Sequence, residues 1–314
     1  MASQPPPKPA AVVVVGSVNL DITLTVDRLP GPGETVLATD EVTTTLGGKG
    51  ANQAVTSARQ GVATCFVGAV ADDGPGRDLL ARLADEGLAL GWCRIDDSGA
   101  TTTGQALITV DARGANTIVV AAGANAALTL ADVAAAGPAL ATGRVVLVQL
   151  EIPEATARAA LAAGRASGAV TVLNPAPARP LDDTLLGLCD LLVPNEHEAA
   201  VLTGEGDPAR AALALAERAP KTTVVVTCGG AGVVVVSPGG TARRLPAIPV
   251  TAVDSVAAGD AFCGALAAAL ASGRDVDSAL LRAIAAGAHA VTVRGALPSL
   301  PTAADVDRLL SSAV

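Results

Sequence analysis

The chain has 314 residues, of which 50% are hydrophobic, 16% charged and 1% aromatic, so it can bury a core and is too apolar to be disordered. The net charge is −9 and tyrosine is absent, which argues against binding to nucleic acid or anionic lipid. The mean hydropathy is +0.49, yet the apolar stretches are shorter than the roughly 18 residues that span a membrane.

Residues 1–10, MASQPPPKPA, predict a disordered Pro-rich tail, and residues 11–314 a single domain. The apolar run AVVVV behind the tail is too short for a signal-peptide core. The five cysteines form no C-x-x-C pair and are typical of buried thiols in a reducing compartment. We therefore expect a cytoplasmic protein.

After the tail, Val- and Leu-rich runs alternate with Ala- and Leu-rich helical stretches. Near-continuous apolar strands separated by helices predict a parallel sheet covered on both faces, which is a three-layer α/β/α domain. The predicted strands are 12–16, 64–70, 144–150, 170–173, 191–193, 222–227 and 232–236, and the predicted helices include 153–166, 208–218 and 259–271.

Two segments, 22–46 and 103–120, instead alternate apolar with polar residues, as in ITLTVDRL and QALITVD. Such strands have one dry face and one wet face. They predict a small antiparallel sheet outside the central one, with its strands within about 20–48 and 102–122. This sheet would cover a site or pair with another subunit.

The segment TLGGKGANQAV (45–55) is a Gly-rich turn that leads into a helix. Its glycines allow the backbone to approach a ligand, and a helix start offers free N–H groups. Gly50 follows Lys49 where a Walker A loop requires Ser or Thr, so the segment is not a P-loop. A ligand loop and a tight turn with a surface lysine both fit.

The segment VDSVAAGDAFCGALAAAL (253–270) places the turn AAGD before an apolar helix. The amides of Ala257 to Asp260 would lie at the positive end of the helix, where they could stabilise phosphate charge. Asp260 could accept a proton from a substrate hydroxyl. Alternatively, it only stabilises the helix dipole.

Other polar residues follow predicted strands, at the sheet edge where open parallel sheets bind ligands. Glu151 follows strand 144–150, although it could also face solvent. Asn195 and Glu198 follow strand 191–193 and, three residues apart on a helix face, could hold a hydrated Mg²⁺. The Gly-rich turn TCGGAG (227–232) could lie along a nucleotide, but such turns are common.

Together these segments resemble the ribokinase branch of the PfkB-type carbohydrate kinases, in family order across residues 11–312. The matching segments are GSVNLD (16–21), LPGPGET (29–35), GGKGANQA (47–54), AGANAAL (122–128), QLE (149–151), NPAPAR (174–179), PNEHEA (194–199), TCGGAG (227–232), VDSVAAGDAFCGA (253–265) and GALPS (295–299).

The resemblance implies a ribokinase-like fold whose small sheet is a lid, and transfer of the γ-phosphoryl group of ATP to O5 of D-ribose. It implies that Asp260 is the general base, with Ala257, Ala258 and Gly259 as the anion hole. Further implied sugar contacts are Asn19, Asp21, Gly48, Lys49, Asn52 and Glu151. The implied Mg–ATP contacts are Asn195, Glu198, Thr227, Gly229, Gly232 and Gly259. The implied K⁺ loops contain Asp254, Val256, Ala290, Val293, Gly295 and Ser299.

The resemblance also implies a homodimer through the lid strands. One departure is Ile284, which stands where family members often carry His or Asn near the adenine.

A PfkB-type kinase of deoxyribose, a nucleoside or a hexose fits the same motifs. Asp260 in an intact AAGD turn argues against a non-catalytic regulator, and the lack of G-x-G-x-x-G after the first strand argues against a nicotinamide dehydrogenase.

Overall fold

A computed structural model of the protein describes residues 10–312. The predicted tail lies outside these residues except for Ala10, which is buried. The strands are β1 (Val12–Val15), β2 (Asn19–Val26), β3 (Thr43–Gly47), β4 (Thr64–Val67), β5 (Ala69–Ala71), β6 (Arg94–Asp96), β7 (Gln105–Asp111), β8 (Asn116–Ala121), β9 (Val145–Gln149), β10 (Val170–Asn174), β11 (Leu191–Leu192), β12 (Thr223–Thr227), β13 (Val233–Val236) and β14 (Arg243–Leu245).

The described part of the chain has twelve α-helices, of which α1 to α8 lie between strands and α9 to α12 follow the last strand. They are α1 (Lys49–Arg59), α2 (Gly74–Asp85), α3 (Leu130–Ala135), α4 (Gly137–Thr142), α5 (Glu154–Ser167), α6 (Asp183–Leu186), α7 (Glu196–Thr203), α8 (Pro208–Arg218), α9 (Ala258–Ala271), α10 (Val276–Ala290), α11 (Ala296–Ser299) and α12 (Ala303–Ser312).

The central sheet has eight strands in the order β14-β13-β12-β11-β10-β9-β1-β4. The six strands from β12 to β4 are parallel, as predicted, whereas β13 and β14 are antiparallel at one edge. The turn from β12 to β13 is too short for the crossover that a parallel pair requires. The predicted strand 64–70 is divided at Gly68 into β4 and β5, and β5 pairs with β6 in a separate sheet.

Helices cover both faces of the central sheet, which confirms the three-layer α/β/α architecture. Successive strand residues face opposite sides, so Val12 and Val14 enter one core while Val13 and Val15 enter the other. The first core contains residues of α1, α2, α9, α10 and α12, and the second contains residues of α3 to α8.

Helix α9 is apolar and mostly buried, and it packs against the central sheet, α1 and α10. Its small residues allow a close crossing with α1. A Cβ atom on Gly264 would lie 2.5 Å from the backbone oxygen of Gln53 and 2.6 Å from Cβ of Thr56. Glycine at this position therefore sets the distance between the two helices.

The second sheet, which we call the lid sheet, has the order β3-β2-β7-β8, and its strands lie in the two predicted segments. The prediction that it is antiparallel is wrong for its central pair, because β2 and β7 are parallel, while the outer pairs are antiparallel. The chain between β2 and β7 includes α1 and α2, and such a long connection allows parallel pairing.

Within residues 10–312, no helix has the length and apolar character to cross a membrane.

Gly264→Ala should lower the free energy of unfolding by about 1–3 kcal/mol, because the added methyl group overpacks the α1–α9 contact. Urea denaturation measures this change. Gly74→Ala is the matched control, since a Cβ atom at this helical glycine meets nothing within 4 Å. Equal stability of both variants would contradict the proposed packing constraint.

Candidate active site

A cleft of about 190 Å³ lies where β10, β11 and β12 end. This is the carboxyl edge of the parallel strands, at which α/β sheets bind ligands. The predicted site residues on the cleft wall are Lys49, Asn195, Glu198, Thr227, Ala257, Gly259 and Asp260. Asn174, at the end of β10, also lines the cleft but was not singled out in the sequence.

The turn before α9 has an unusual backbone conformation. Ala257, the residue that precedes the helix, has φ +60° and is the one non-glycine residue with positive φ between residues 10 and 312. This left-handed conformation costs an L-residue roughly 1–2 kcal/mol. The N–H groups of the first turn, including those of Gly259 and Asp260, have no acceptors within the helix. The turn therefore presents the N–H groups of a helix start to the cleft, while the predicted anion hole stays a prediction.

Asp260 lies in this turn and is buried. Its carboxylate accepts hydrogen bonds from Nδ2 of Asn52 at 3.0 Å and from Nε2 of Gln53 at 2.9 Å. Burial raises the pKa of Asp260 above its ordinary value, although Lys49 and the two amides act in the opposite direction. A higher pKa makes the carboxylate a better proton acceptor.

Asn52, predicted to contact the sugar, thus contacts the predicted base through its amide nitrogen. Its Oδ1 atom is buried and has no hydrogen-bond partner in the described part of the chain. Because a buried polar oxygen without a partner is unfavourable, this atom is a candidate ligand contact.

Asn19 and Asp21 lie two residues apart on β2, and both are buried, as expected for strand residues that share a face. The carboxyl group of Asp21 lies against Gly47, where a Cβ atom would be only 2.1 Å away. Burial raises the pKa of Asp21 to about 7, and Glu151 and Asp260 add to this rise.

Asn125 holds Asn19 in place, a contact that the sequence did not reveal. Oδ1 of Asn125 accepts a hydrogen bond from the backbone N–H of Val18 at 3.0 Å, which fixes the orientation of the Asn125 amide. Its Nδ2 then donates to Oδ1 of Asn19 at 2.8 Å. The amide nitrogen of Asn19 consequently remains as a donor for a ligand.

Glu151 anchors the start of α1. Its Oε2 accepts hydrogen bonds from Oγ of Ser17 at 2.5 Å and from the backbone N–H of Lys49 at 3.1 Å. The residue before the helix, Gly48, has φ +89° and no side chain that could cap it. Glu151 therefore caps α1 from the loop after β9, while its predicted sugar contact stays a prediction.

Asn195 and Glu198, which also line the cleft, form a capping box at the start of α7. Oδ1 of Asn195 accepts from the Glu198 N–H, and Oε2 of Glu198 accepts from the Asn195 N–H, both at 2.8 Å. They are neighbours, as their spacing predicts, although Asn195 precedes the first turn. Burial raises the pKa of Glu198.

The Gly-rich turn 227–232 connects β12 and β13. The N–H of Thr227 donates to the oxygen of Pro194 at 2.9 Å, and Gly229 is exposed. Gly232 has φ +89°, and a Cβ atom there would lie 2.0 Å from the oxygen of Leu245. This turn therefore requires glycine for its own packing, so its predicted nucleotide contact stays a prediction.

Asp254 connects two of the predicted cation loops. Its carboxylate accepts from the N–H of Val256 at 3.0 Å and from the N–H of Gly295 at 2.8 Å. Among the other predicted cation ligands, the backbone oxygen of Ala290 accepts a hydrogen bond from the N–H of Val293 at 3.2 Å. The hydroxyl of buried Ser299 donates to its own short helix, α11.

The charges of the site are unbalanced, because one lysine lies among several carboxylates. Burial opposes the charge on Lys49, but Asp260, Glu151 and Glu198 outweigh it and raise the pKa of Lys49. The described residues contain no group of three or more His, Cys, Asp or Glu side chains that could hold a metal ion.

A helix end open to anions beside a buried carboxylate provides what phosphoryl transfer needs. The sequence matches the family described as pfkB family carbohydrate kinase over residues 9–303, and the chain belongs to this family of kinases. This assignment agrees with the family resemblance of the sequence motifs.

Three similar proteins illustrate the relationship. The ribokinase of Bacillus subtilis is 39% identical over 300 residues, which cover 96% of this chain and 99% of that protein. The bifunctional ribokinase/ribose-5-phosphate isomerase A of Fructilactobacillus sanfranciscensis is 40% identical over 300 residues, 93% of this chain but only 54% of that protein. The solved structure of Arabidopsis thaliana ribokinase complexed with ribose and ATP is 32% identical, with a TM-score of 0.86 and coverage of 96% and 99%.

The raised pKa of Asp21 predicts a pH-dependent loss of stability without ligand. Since the folded protein binds this proton more tightly, the contribution of Asp21 to stability is fully present below the ordinary pKa of 3.8 and is lost as the pH rises through about 7. Asp21→Asn should remove this loss and gain about 2–3 kcal/mol relative to wild type between pH 5 and pH 8. Urea denaturation at both pH values measures it, with the exposed Asp40→Asn as control. A constant difference between wild type and Asp21→Asn would contradict the prediction.

Proposed function

We propose that the protein transfers the γ-phosphoryl group of ATP to O5 of D-ribose and produces ribose 5-phosphate. The observation that carries this proposal is the position of Asp260, which is buried in the first turn of α9 and lines the cleft. Relatives named ribokinase that match nearly the whole chain support ribose as the substrate.

In the proposed reaction, Asp260 accepts the proton of the O5 hydroxyl while O5 attacks the γ-phosphorus. The new O5–P bond forms as the bond between this phosphorus and the bridging oxygen breaks, and ADP leaves. The N–H groups of Gly259 and Asp260, with those of Ala257 and Ala258 in the same turn, would stabilise the charge on the transferring group. Phosphoryl transfer depends mainly on such positioning and electrostatic stabilisation.

Mg²⁺ fits the charge of this site. The carboxylates outnumber the single lysine, and a nucleotide would add further negative charge. Mg²⁺ is usually bound by one or two carboxylates, waters and substrate phosphates, and Glu198 beside Asn195 could supply the carboxylate. Bound Mg²⁺ would neutralise phosphate charge, while Thr227, Gly229 and Gly232 would contact the nucleotide.

For the sugar, we propose that Asn19 donates a hydrogen bond to a ribose hydroxyl and that Asp21 accepts hydrogen bonds from ribose hydroxyls. The other proposed sugar contacts are Gly48, Lys49, Asn52 and Glu151. The orientation that Asn125 imposes on Asn19 supports the first role. Charge-assisted hydrogen bonds to Asp21 are stronger than neutral ones. A sugar that lacks one of these hydroxyls leaves part of a buried carboxylate without a partner, which costs about 1–3 kcal/mol.

Release of ADP from Mg–ATP should therefore be fastest with ribose, and kcat/KM for ribose should exceed that for 2-deoxyribose by roughly ten- to a hundredfold. A coupled ADP assay with ribose, 2-deoxyribose, a nucleoside and a hexose measures this preference. Equal kcat/KM for the two pentoses would contradict the role of Asp21, and turnover of another sugar alone would replace ribose as the substrate.

Asp260→Asn should lower kcat by about 10²- to 10⁴-fold, because it removes the base. The fold should tolerate the change, since rotation of the Asn52 amide would present its partnerless oxygen to the new NH₂ group. Asp277→Asn is the control, because it removes an acidic residue from the first turn of α10. Similar kcat losses in both variants would assign Asp260 to the helix dipole rather than to base catalysis.

We further propose a K⁺ site formed by the carboxylate of Asp254, backbone oxygens of Val256, Ala290, Val293 and Gly295, and Ser299. The hydrogen bond that the Asp254 carboxylate accepts from the N–H of Gly295 supports it, since this bond joins the loop before α9 to the loop after α10. An ion there would order the turn that carries the anion hole. Unchanged kcat when K⁺ replaces a bulky organic cation would contradict this site.

A homodimer through the lid sheet is also proposed. Exposed apolar side chains on β7 and β8 support it, among them Leu107 and Val119, which are paired across the two strands, because exposed apolar surface marks an interaction site. A monomeric mass in light scattering would contradict it.

We also propose a cytoplasmic location. The five free cysteines support it, and cell fractionation would test it.

A further inference from the structure

A chain of buried amides leads from the central sheet to Asp260. Nε2 of Gln149, the last residue of β9, donates to Oε1 of Gln53 at 2.6 Å. Nε2 of Gln53 in turn donates to Oδ1 of Asp260 at 2.9 Å and to Oδ1 of Asn174 at 3.1 Å. Gln53 and Gln149 are completely buried, and the proposed reaction assigns neither a role.

The direction of this chain is fixed by chemistry at its ends. A carboxylate can only accept, so the NH₂ group of Gln53 must face Asp260. Nδ2 of Asn174 donates to the oxygen of Val193 at 2.8 Å, which leaves its Oδ1 as a second acceptor for Gln53. A reversed Gln53 amide would place its oxygen against both acceptors and its NH₂ against the NH₂ of Gln149.

Gln149 is an unfavourable residue for packing alone. Its Oε1 is buried and has no partner among residues 10–312, and a buried oxygen without a hydrogen bond destabilises the fold. The neighbouring Gly16 leaves it room, because a Cβ atom there would lie 1.9 Å from this oxygen. The function of the Gln149 side chain therefore lies in its N–H group.

We infer that Gln53 is a positioning residue that holds Asp260 in its ionised, acceptor orientation, and that Gln149 fixes the direction of the Gln53 amide. This inference rests on the proposed role of Asp260 as the base. With Asn52 on one carboxylate oxygen and Gln53 on the other, rotation of the Asp260 carboxylate is restricted from both sides.

The inference predicts a change in pH dependence. Donation to the ionised form lowers the pKa of a carboxyl group, so loss of the donor raises it. The charged or titratable groups that act on Asp260 from the surrounding elements are Lys49, Asp21, Glu151, Glu198 and Cys263. All remain in the variants below, so a shift reports the lost amide.

Gln53→Met keeps the length of the side chain and removes its donor. The acid limb of the profile of kcat against pH should move up by about one pH unit, which is about a tenfold loss of kcat below that limb, while the KM for ATP stays unchanged. Gln149→Met should shift the limb in the same direction by less. Ser57→Ala is the control, because buried Ser57 also joins α1 to α9, by a 2.9 Å bond to the oxygen of Gly264, and it should not move the limb.

A second measurement does not depend on turnover. The carboxyl ¹³C signal of Asp260, assigned by its loss in Asp260→Asn, should titrate at higher pH in Gln53→Met than in wild type. Absence of ribose turnover with this shift present would refute the proposed function but support the positioning role. Unshifted titrations in both Met variants, an equal shift in Ser57→Ala, or loss of the fold in both Met variants would overturn the inference.

Discussion

The close crossing of α1 and α9 is the contact on which the rest of the site depends. It requires Gly264, whose missing side chain lets the two helices approach. One end of α1 carries Lys49, and its next turn carries Asn52 and Gln53, which hold Asp260 of α9. A slightly wider crossing would keep both helices but separate Asp260 from its partners.

The same helix also reaches the loops beyond α10. Arg59, near the end of α1, pairs with Glu86 and donates to the oxygens of Leu297 and Leu300. A single rigid helix of 11 residues therefore carries proposed sugar contacts and the partners of Asp260. It also contacts one end of the proposed cation region. The relative positions of these parts are therefore fixed by one stiff helix rather than by several loops.

The sequence predicted those features that are written in local patterns. Valine runs indicated the parallel strands, and the AAGD turn before an apolar helix indicated the helix start that carries Asp260. The contacts of Gln53, Gln149 and Asn125 were not predictable in this way, because their partners lie about a hundred or more residues away and have no periodic signal. Likewise, alternation predicted the strands of the lid sheet but not their directions, since a period of two is the same in parallel and antiparallel pairs.

The lid sheet begins where the proposed sugar contacts are. Asn19 opens β2 and pairs with Gly47 at the end of β3, one residue from the glycine that precedes α1. The eight residues of β2 extend about 25 Å from this root. If the sheet rotated as a rigid body about this root, a displacement of a fraction of an ångström at Asp21 would correspond to several times that distance at the far end near Val26.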